Sequence, residues 1–252
     1  MSRKESAADV LRHLFFPRRC VGCGTVTEGL SADRPMCPAC TAQWKIALGT
    51  PCRSCGQRGL LCRCRPKAAL QDSAADAFLH LVPYRCEEVQ RLLFRIKDHP
   101  DRDVTMFLAQ QLSPLCAYAK REVLPTVSSG RQEDAWLITV PPRTEKRRLE
   151  TGTDHAEALA RAVSRLTGIP FEKTLARSDN ARMQKTLSAA DRLENARATC
   201  ILLPEEDRPC LRGRRVLLLD DVCTTGATLV SCAGLLRAAG AEAVVCVTVA
   251  RV

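Results

Sequence analysis

The feature that most constrains this chain is the run Arg215-Val216-Leu217-Leu218-Leu219-Asp220-Asp221-Val222-Cys223-Thr224-Thr225-Gly226-Ala227-Thr228-Leu229. Unbroken apolar positions with no polar alternation suit a strand covered on both faces, as in a parallel sheet with helices on each side. Val216 to Leu219 therefore reads as a central strand, and the Ala-rich pattern from Ala227 to Ala239 as the helix after it. The order is strand, acidic edge, hydroxyl-rich turn, helix.

In open parallel sheets the ligand crevice lies beyond the carboxyl ends of the strands, where Asp220 and Asp221 emerge. Thr224, Thr225, Gly226, Ala227 and Thr228 then open the helix. Successive amides at a helix start, with hydroxyls among them and a Gly that allows close backbone approach, form an anion cradle. Carboxylates beside such a cradle make sense for a phosphorylated sugar, whose ribose hydroxyls donate to the acids while the turn holds the 5′-phosphate. A Thr N-cap alone would need one polar residue, not this ordered set. Cys223 lies inside the turn but has no paired base in view, so it is read as packing rather than as a nucleophile. Neither Gly-x-x-x-x-Gly-Lys-Ser/Thr nor Gly-x-Gly-x-x-Gly occurs, which argues against nucleoside triphosphate and dinucleotide sites.

The stretch resembles the phosphoribosyl pyrophosphate (PRPP) loop of type I phosphoribosyltransferases, with its apolar strand, two acids and Thr-Thr-Gly-x-Thr turn. That resemblance implies that residues 220–228, Val222 and Cys223 included, line a PRPP site. It also implies Mg²⁺ bridging the pyrophosphate and ribose hydroxyls. In a transfer reaction Asp220 and Asp221 would act as catalytic residues that steady charge developing on the ribose ring.

Fifteen cysteines are spread unevenly over the 252 residues. Eight fall early, as Cys20-x-x-Cys23, Cys37-x-x-Cys40, Cys52-x-x-Cys55 and Cys62-x-Cys64. Tight knuckles in a chain without a secretory signal bind metal more often than they form disulfides. Two four-thiolate Zn²⁺ sites are expected, with Gly22, Gly24 and Gly56 supplying backbone freedom. The first two knuckles would share one metal and the last two the other, with a cross-braced pairing as the alternative. Closed four-sulfur sites leave no open position, so the role is structural.

The formal charge of +10 favours polyanionic partners or phosphorylated ligands. Residues 1–67 hold twelve basic and four acidic side chains, but two Zn(Cys)₄ sites would bring that excess of +8 down to about +4. Aromatic residues make up 4% of the chain, which leaves few platforms for base stacking. No apolar run approaches the roughly 20 residues of a membrane helix. Leu11 to Phe16, interrupted by Arg12 and His13, is not a secretory signal. A cytoplasmic protein without membrane insertion is expected.

Along the chain, residues 5–16 have helical period and Pro17 ends the pattern. A boundary falls near 65–75, which separates residues 1–67 from a larger unit over 75–252. Ala77 to Tyr84 reads as a strand, Glu88 to Asp98 and Asp103 to Leu115 as paired helices, and Ala135 to Val140 as a second buried strand. Lys97 is read as a ligand contact or a solvated helix end. Arg143 to Arg148, with Arg143 and Lys146, is a basic turn at a strand end where a pyrophosphate could sit, or else a solvated charge run. His155 opens a helix to Leu166 and is read as an ordinary core histidine. Residues 174–199, with Arg177, Gln184 and Arg192, suit a flap that closes over a ligand. Ala243 to Val249 is the last strand.

The cysteine knuckles, Tyr84 with Lys97, Leu175-x-Arg177 with Gln184, Arg192 and Asn195, and Leu218 to Thr228 together make the chain similar to the ComF family of competence-associated phosphoribosyltransferase-like proteins. The resemblance implies an α/β fold: a type I phosphoribosyltransferase-like parallel sheet flanked by helices, preceded by a small N-terminal double zinc ribbon. It implies PRPP as ligand and a part in DNA uptake and natural transformation, with the uptake machinery as partner. A non-catalytic single-stranded DNA-binding role with PRPP as regulatory ligand is one alternative, and a purine or pyrimidine salvage enzyme is another. One departure stands out: where the family has Arg-Gly-Phe-Asn/Asp-Gln/His, this chain reads Thr151-Gly152-Thr153-Asp154-His155.

Overall fold

The computed structural model describes residues 17–27, 29–31, 34–70, 73–98, 101–123, 136–143, 154–178 and 200–252. The helical pattern over 5–16, residues 144–153 with Lys146 and the rest of the expected basic turn after Arg143, and the stretch 179–199 with Gln184, Arg192 and Asn195 lie outside the described residues.

Four parallel strands form the central sheet: β1 (Ala77–Pro83), β2 (Trp136–Thr139), β5 (Arg215–Cys223) and β6 (Ala243–Arg251). Their order is β1-β6-β5-β2, so β5 and β6 are central. Leu217 pairs with Ile138 on one side and Val245 on the other. Beyond β2, the amide of Ile138 reaches the carbonyl of Pro170 and the amide of Glu172 reaches that of Ile138, so the segment around Phe171 extends that edge.

Each strand feeds two cores because side chains alternate across the sheet. Leu79, Ile138, Leu217, Leu219, Val245 and Val247 enter one core with helices α2 (Glu87–Asp98), α3 (Arg102–Tyr118) and α4 (His155–Thr167). Phe78, Leu137, Val216, Leu218, Val244 and Cys246 enter the other with helix α5 (Ala227–Ala238). Val216 to Leu219 are at most 1% exposed, and burying each such side chain contributes about 1.5–3 kcal/mol relative to exposure. This is why the apolar run had no alternation: both faces are covered.

The helices start where the sequence supplies caps. Asp101 accepts from the amides of Asp103 and Val104 at α3, and Asp154 accepts from Ala156 and Glu157 at α4, each satisfying amides the helix cannot. Gly168, at φ +73°, closes α4 and its amide bonds Ser164. Leu175–Arg177 (β3) and Cys200–Leu202 (β4) pair antiparallel in a separate small ribbon, so the described part of the expected flap begins as a strand.

Ahead of the sheet, the Cys37 knuckle opens helix α1 (Pro38–Gly49), with Cys37 as N-cap, Pro at the first position and Cys40 in the first turn. Trp44 on α1 packs edge-on to Phe107 of α3 and donates to Gln111 Oε1 at 3.1 Å. Within the expected boundary region, Lys67–Ala69 forms a 3₁₀ turn with Ala69 buried. No described helix is long and apolar enough to cross a membrane.

Candidate functional site

Strand β5 does not stop where its apolar run stops; it continues to Cys223. Asp220 and Asp221 are thus successive strand residues and depart toward opposite faces. Asp221 turns to the side of α2 and α4, where its side chain is 6% exposed. Its Oδ2 lies 3.1 Å from Lys97 Nζ, in the last turn of α2, and 3.1 Å from His155 Nε2, the first residue of α4. Arg143 Nη2, just past β2, stands 3.4 Å away, and Oδ1 accepts from the Val222 amide at 2.7 Å. Asp220, 18% exposed, lies 3.6 Å from the same guanidinium, and it accepts from the Asp221 amide at 2.9 Å. Arg143 also reaches the α4 cap Asp154 at 3.5 Å.

The two acids therefore differ electrostatically. Burial alone would raise the Asp221 carboxyl. The His155 hydrogen bond outweighs it, with the charges of Arg143, Lys97 and His155, and holds Asp221 far below the carboxylate range. At Asp220, burial and then the neighbouring Asp221 charge push the carboxyl up to about 7, with Arg143 pulling the other way.

Beyond Cys223 the chain turns outward. Thr224, Thr225 and Thr228 are exposed, while Gly226 is buried at φ +82° and serves as N-cap of α5 with no side chain to cap the helix. The Ala227 amide is only 3.4 Å from Thr225 Oγ1. A helix start with hydroxyls around it and no side-chain cap offers its first amides to an anion. Cys223 is 3% exposed, and burial pushes its thiol up to about 11, so it stays protonated at neutral pH.

Of the sequence-predicted residues, the structure brings Arg143, Asp220, Asp221 and the turn 222–228 to one end of the sheet. Arg177 is exposed at the end of β3, outside this ion-pair network. Sequence reasoning passed over His155 and Asp154 and left Lys97 open. The available signal was the Asp-His pair at the start of an amphipathic helix, where a cap and a polar ring project from one end.

The eight early cysteines fall into two sets in chain order: Cys20, Cys23, Cys37 and Cys40, then Cys52, Cys55, Cys62 and Cys64. Adjacent knuckles pair and the cross-braced alternative does not occur. Within each set the sulfurs lie within 4.8 Å of one another, with Cys23 to Cys37 at 4.0 Å and Cys55 to Cys62 at 3.7 Å. A tetrahedral Zn²⁺ with bonds of about 2.3 Å separates its sulfurs by about 3.8 Å, so both sets fit that ion. At Gly22 a Cβ would meet the Cys40 side chain at 2.7 Å, which explains why this knuckle needs glycine. Hydrogen bonds from the Thr25 side chain and backbone hold the Cys23 thiol at about 6, suited to a thiolate ligand.

Residues 153–252 match the phosphoribosyl transferase domain family. Competence protein F of Haemophilus influenzae is 36% identical over 98 residues, which is 38% of this chain and 42% of that protein. The chain thus spans less than half the length of the curated relative it matches. Among solved structures, the glutamine PRPP amidotransferase from B. subtilis is 22% identical at TM-score 0.35 and overlaps 57% of this chain and 25% of its own. The hypoxanthine-guanine phosphoribosyl transferase of L. donovani is 14% identical at TM-score 0.35, over 58% and 71%. The strand register, the matched domain and the cysteine sets ahead of it make this chain one that resembles the ComF family, with a type I phosphoribosyltransferase-like sheet behind a double zinc-ribbon framework.

Proposed function

We propose that the protein binds PRPP at the carboxyl end of β5. The observation that carries this reading is the succession of a partly exposed Asp220 and, from Gly226 on, a threonine-lined helix start with no side-chain cap. Asp220 accepts from the ribose hydroxyls, and the turn 224–228 takes the 5′-phosphate on amides and hydroxyls. Asp221, already paired with Lys97 and Arg143 and within hydrogen-bond reach of His155, orients the site rather than reaching the sugar. Arg143 and Lys97 lie on the side where a pyrophosphate adds negative charge.

The donor set bears on Mg²⁺. Asp221 is taken up by Lys97 and Arg143, so of the two strand-end acids only Asp220 is offered as a carboxylate ligand. Mg²⁺ commonly binds through one or two carboxylates and substrate phosphates, and in this reading it is held mainly by the ligand's own oxygens. Zn²⁺ fills the two cysteine sets as a structural ion. The likeness to Competence protein F supports a role in DNA uptake, and the matched domain supports a phosphoribosyl transfer whose acceptor an assay across candidate bases would identify.

Titration calorimetry of the zinc-loaded protein with PRPP, with and without Mg²⁺, tests the reading. Binding is expected for the wild type, and Asp220→Ala should weaken it by about 10- to 100-fold, as for one or two lost hydrogen bonds to a charged acceptor. A wild type that gives no binding heat in any buffer overturns it.

A further inference from the structure

The loop that carries the second cysteine set is bolted to the sheet at both ends. Arg85, just after β1, donates from Nη2 to the carbonyl of Pro51 at 2.9 Å, one residue ahead of Cys52. Arg251, the last residue of β6, donates to the carbonyl of Cys64 and, at 2.9 Å, to that of Arg65. Between these anchors Gly59 is pressed so close to β1 that a Cβ would lie 2.1 Å from the Leu81 carbonyl oxygen.

The chain leaving Cys64 then runs onto the turn at the start of α5. Pro66 lies over Gly226, where a Cβ would fall 2.5 Å from Pro66 Cγ. The Ala68 amide donates to the Thr225 carbonyl at 3.0 Å. Arg251 is also the register partner of Cys223, the residue from which the turn departs. The first cysteine set is tied elsewhere: the carbonyls of Cys20 and Val21 accept from Arg95 on α2, and α1 leans on α3. Its packing belongs to the core of the opposite sheet face from α5.

We propose that the second cysteine set is a positioning element for the anion-binding turn: metal at Cys52, Cys55, Cys62 and Cys64 fixes Pro66 to Ala68 against Thr225 and Gly226, whereas metal at the first set does not. The loop 52–64 buries little besides Gly59 and Cys62, so its order comes from the metal. The turn itself is exposed at Thr224 and Thr225 and pivots on a glycine, so it needs an external support to hold its amides ready for an anion. The ligand clause rests on the PRPP reading above; the positioning clause does not.

Hydrogen exchange of peptides across 220–230, metal content and PRPP titration on the full zinc-loaded chain separate the two clauses. Cys64→Ser should lose one metal, exchange the turn amides at least about tenfold faster and bind PRPP about tenfold more weakly. Cys23→Ser should also lose one metal but leave the turn unchanged. Arg251→Ala, with every cysteine intact, should keep both metals and accelerate turn exchange by at least about fivefold, since it removes the hydrogen bonds to the Cys64 and Arg65 carbonyls. Unchanged exchange in a Cys64→Ser protein that has lost its metal, or equal acceleration in Cys23→Ser, overturns the proposal. If Cys64→Ser does not fold, unchanged exchange in Arg251→Ala overturns it alone. Should the wild type not bind PRPP, the ligand reading falls while the exchange comparison still decides the positioning claim.

Discussion

His155 Nε2 stands 3.1 Å from Asp221 Oδ2. This contact joins the first residue of α4 to the end of the central strand, and the same oxygen takes Lys97 from α2 at the same distance. Asp221 is therefore the point where two helices and the sheet meet, and its carboxylate, 6% exposed, is poorly hydrated there. Removing one member of such a buried set is costly because the others remain unpaired.

Asp221→Asn should accordingly destabilise the fold by about 3 kcal/mol at pH 7, read by urea denaturation. The sign with pH follows from the direction of the shift. A carboxyl held below its ordinary value contributes stability above about pH 4, the unfolded-state range, and loses it as pH falls toward the folded value. The gap between wild type and Asp221→Asn should therefore narrow below pH 4. A gap constant from pH 7 to pH 3 would show that the ion pairs add nothing.

Asp220 has the opposite sign. Its carboxyl is pushed up to about 7, so stability falls as pH rises from about 4, the unfolded-state value, to about 7 and levels off above it. Asp220→Asn should gain on wild type as pH rises from about 4 to 7, by about 1–2 kcal/mol in all, and keep that gain above pH 7. If the ionised carboxylate receives the ribose hydroxyls, binding of PRPP at pH 7 should release roughly half a proton, and affinity should rise with pH across this window. Calorimetry in buffers of different ionisation enthalpy measures the release; proton uptake on binding would contradict this assignment.

The division of labour between these acids was not legible in the sequence, and the reason is local. The apolar run ends at Leu219, so the acids looked like a pair hanging from a finished strand. Strand β5 instead runs on to Cys223, and period-2 alternation sends neighbours to opposite faces. The sheet itself was legible because Val216 to Leu219 and Ala243 to Val249 are apolar on both faces. That the eight early cysteines make two four-sulfur sets was legible too, but the choice of adjacent over cross-braced pairing was not, since the short spacings fix only the sulfurs within each knuckle. Lys97 and His155 were ambiguous for the converse reason: their partner lies more than 60 positions away, and a helix-end lysine or helix-start histidine looks the same with or without it.

Metal content gives a further test of the cysteine sets. Because the sulfurs group in chain order, Cys20→Ser and Cys52→Ser should each remove one zinc and leave the other in place. Proteolysis should then open the chain near α1 in the first variant and near residues 52–64 in the second, since each metal orders its own loop. Loss of both ions from either variant would indicate a shared, cross-braced arrangement.

Gly226→Ala probes the turn without touching a charge or a cysteine. The position has φ +82°, where a Cβ costs about 1–2 kcal/mol, and that Cβ would also fall 2.5 Å from Pro66 Cγ. Pro66 cannot swing aside as a flexible side chain would, because its ring is fixed to the backbone that Arg251 holds at Arg65. The variant should therefore lower stability by more than the conformational cost alone, about 2–3 kcal/mol. Adding Pro66→Gly should restore part of the loss: relief of the clash would appear as a positive coupling in a double-mutant cycle. Strict additivity of the two substitutions would mean that the ring and the turn do not bear on each other.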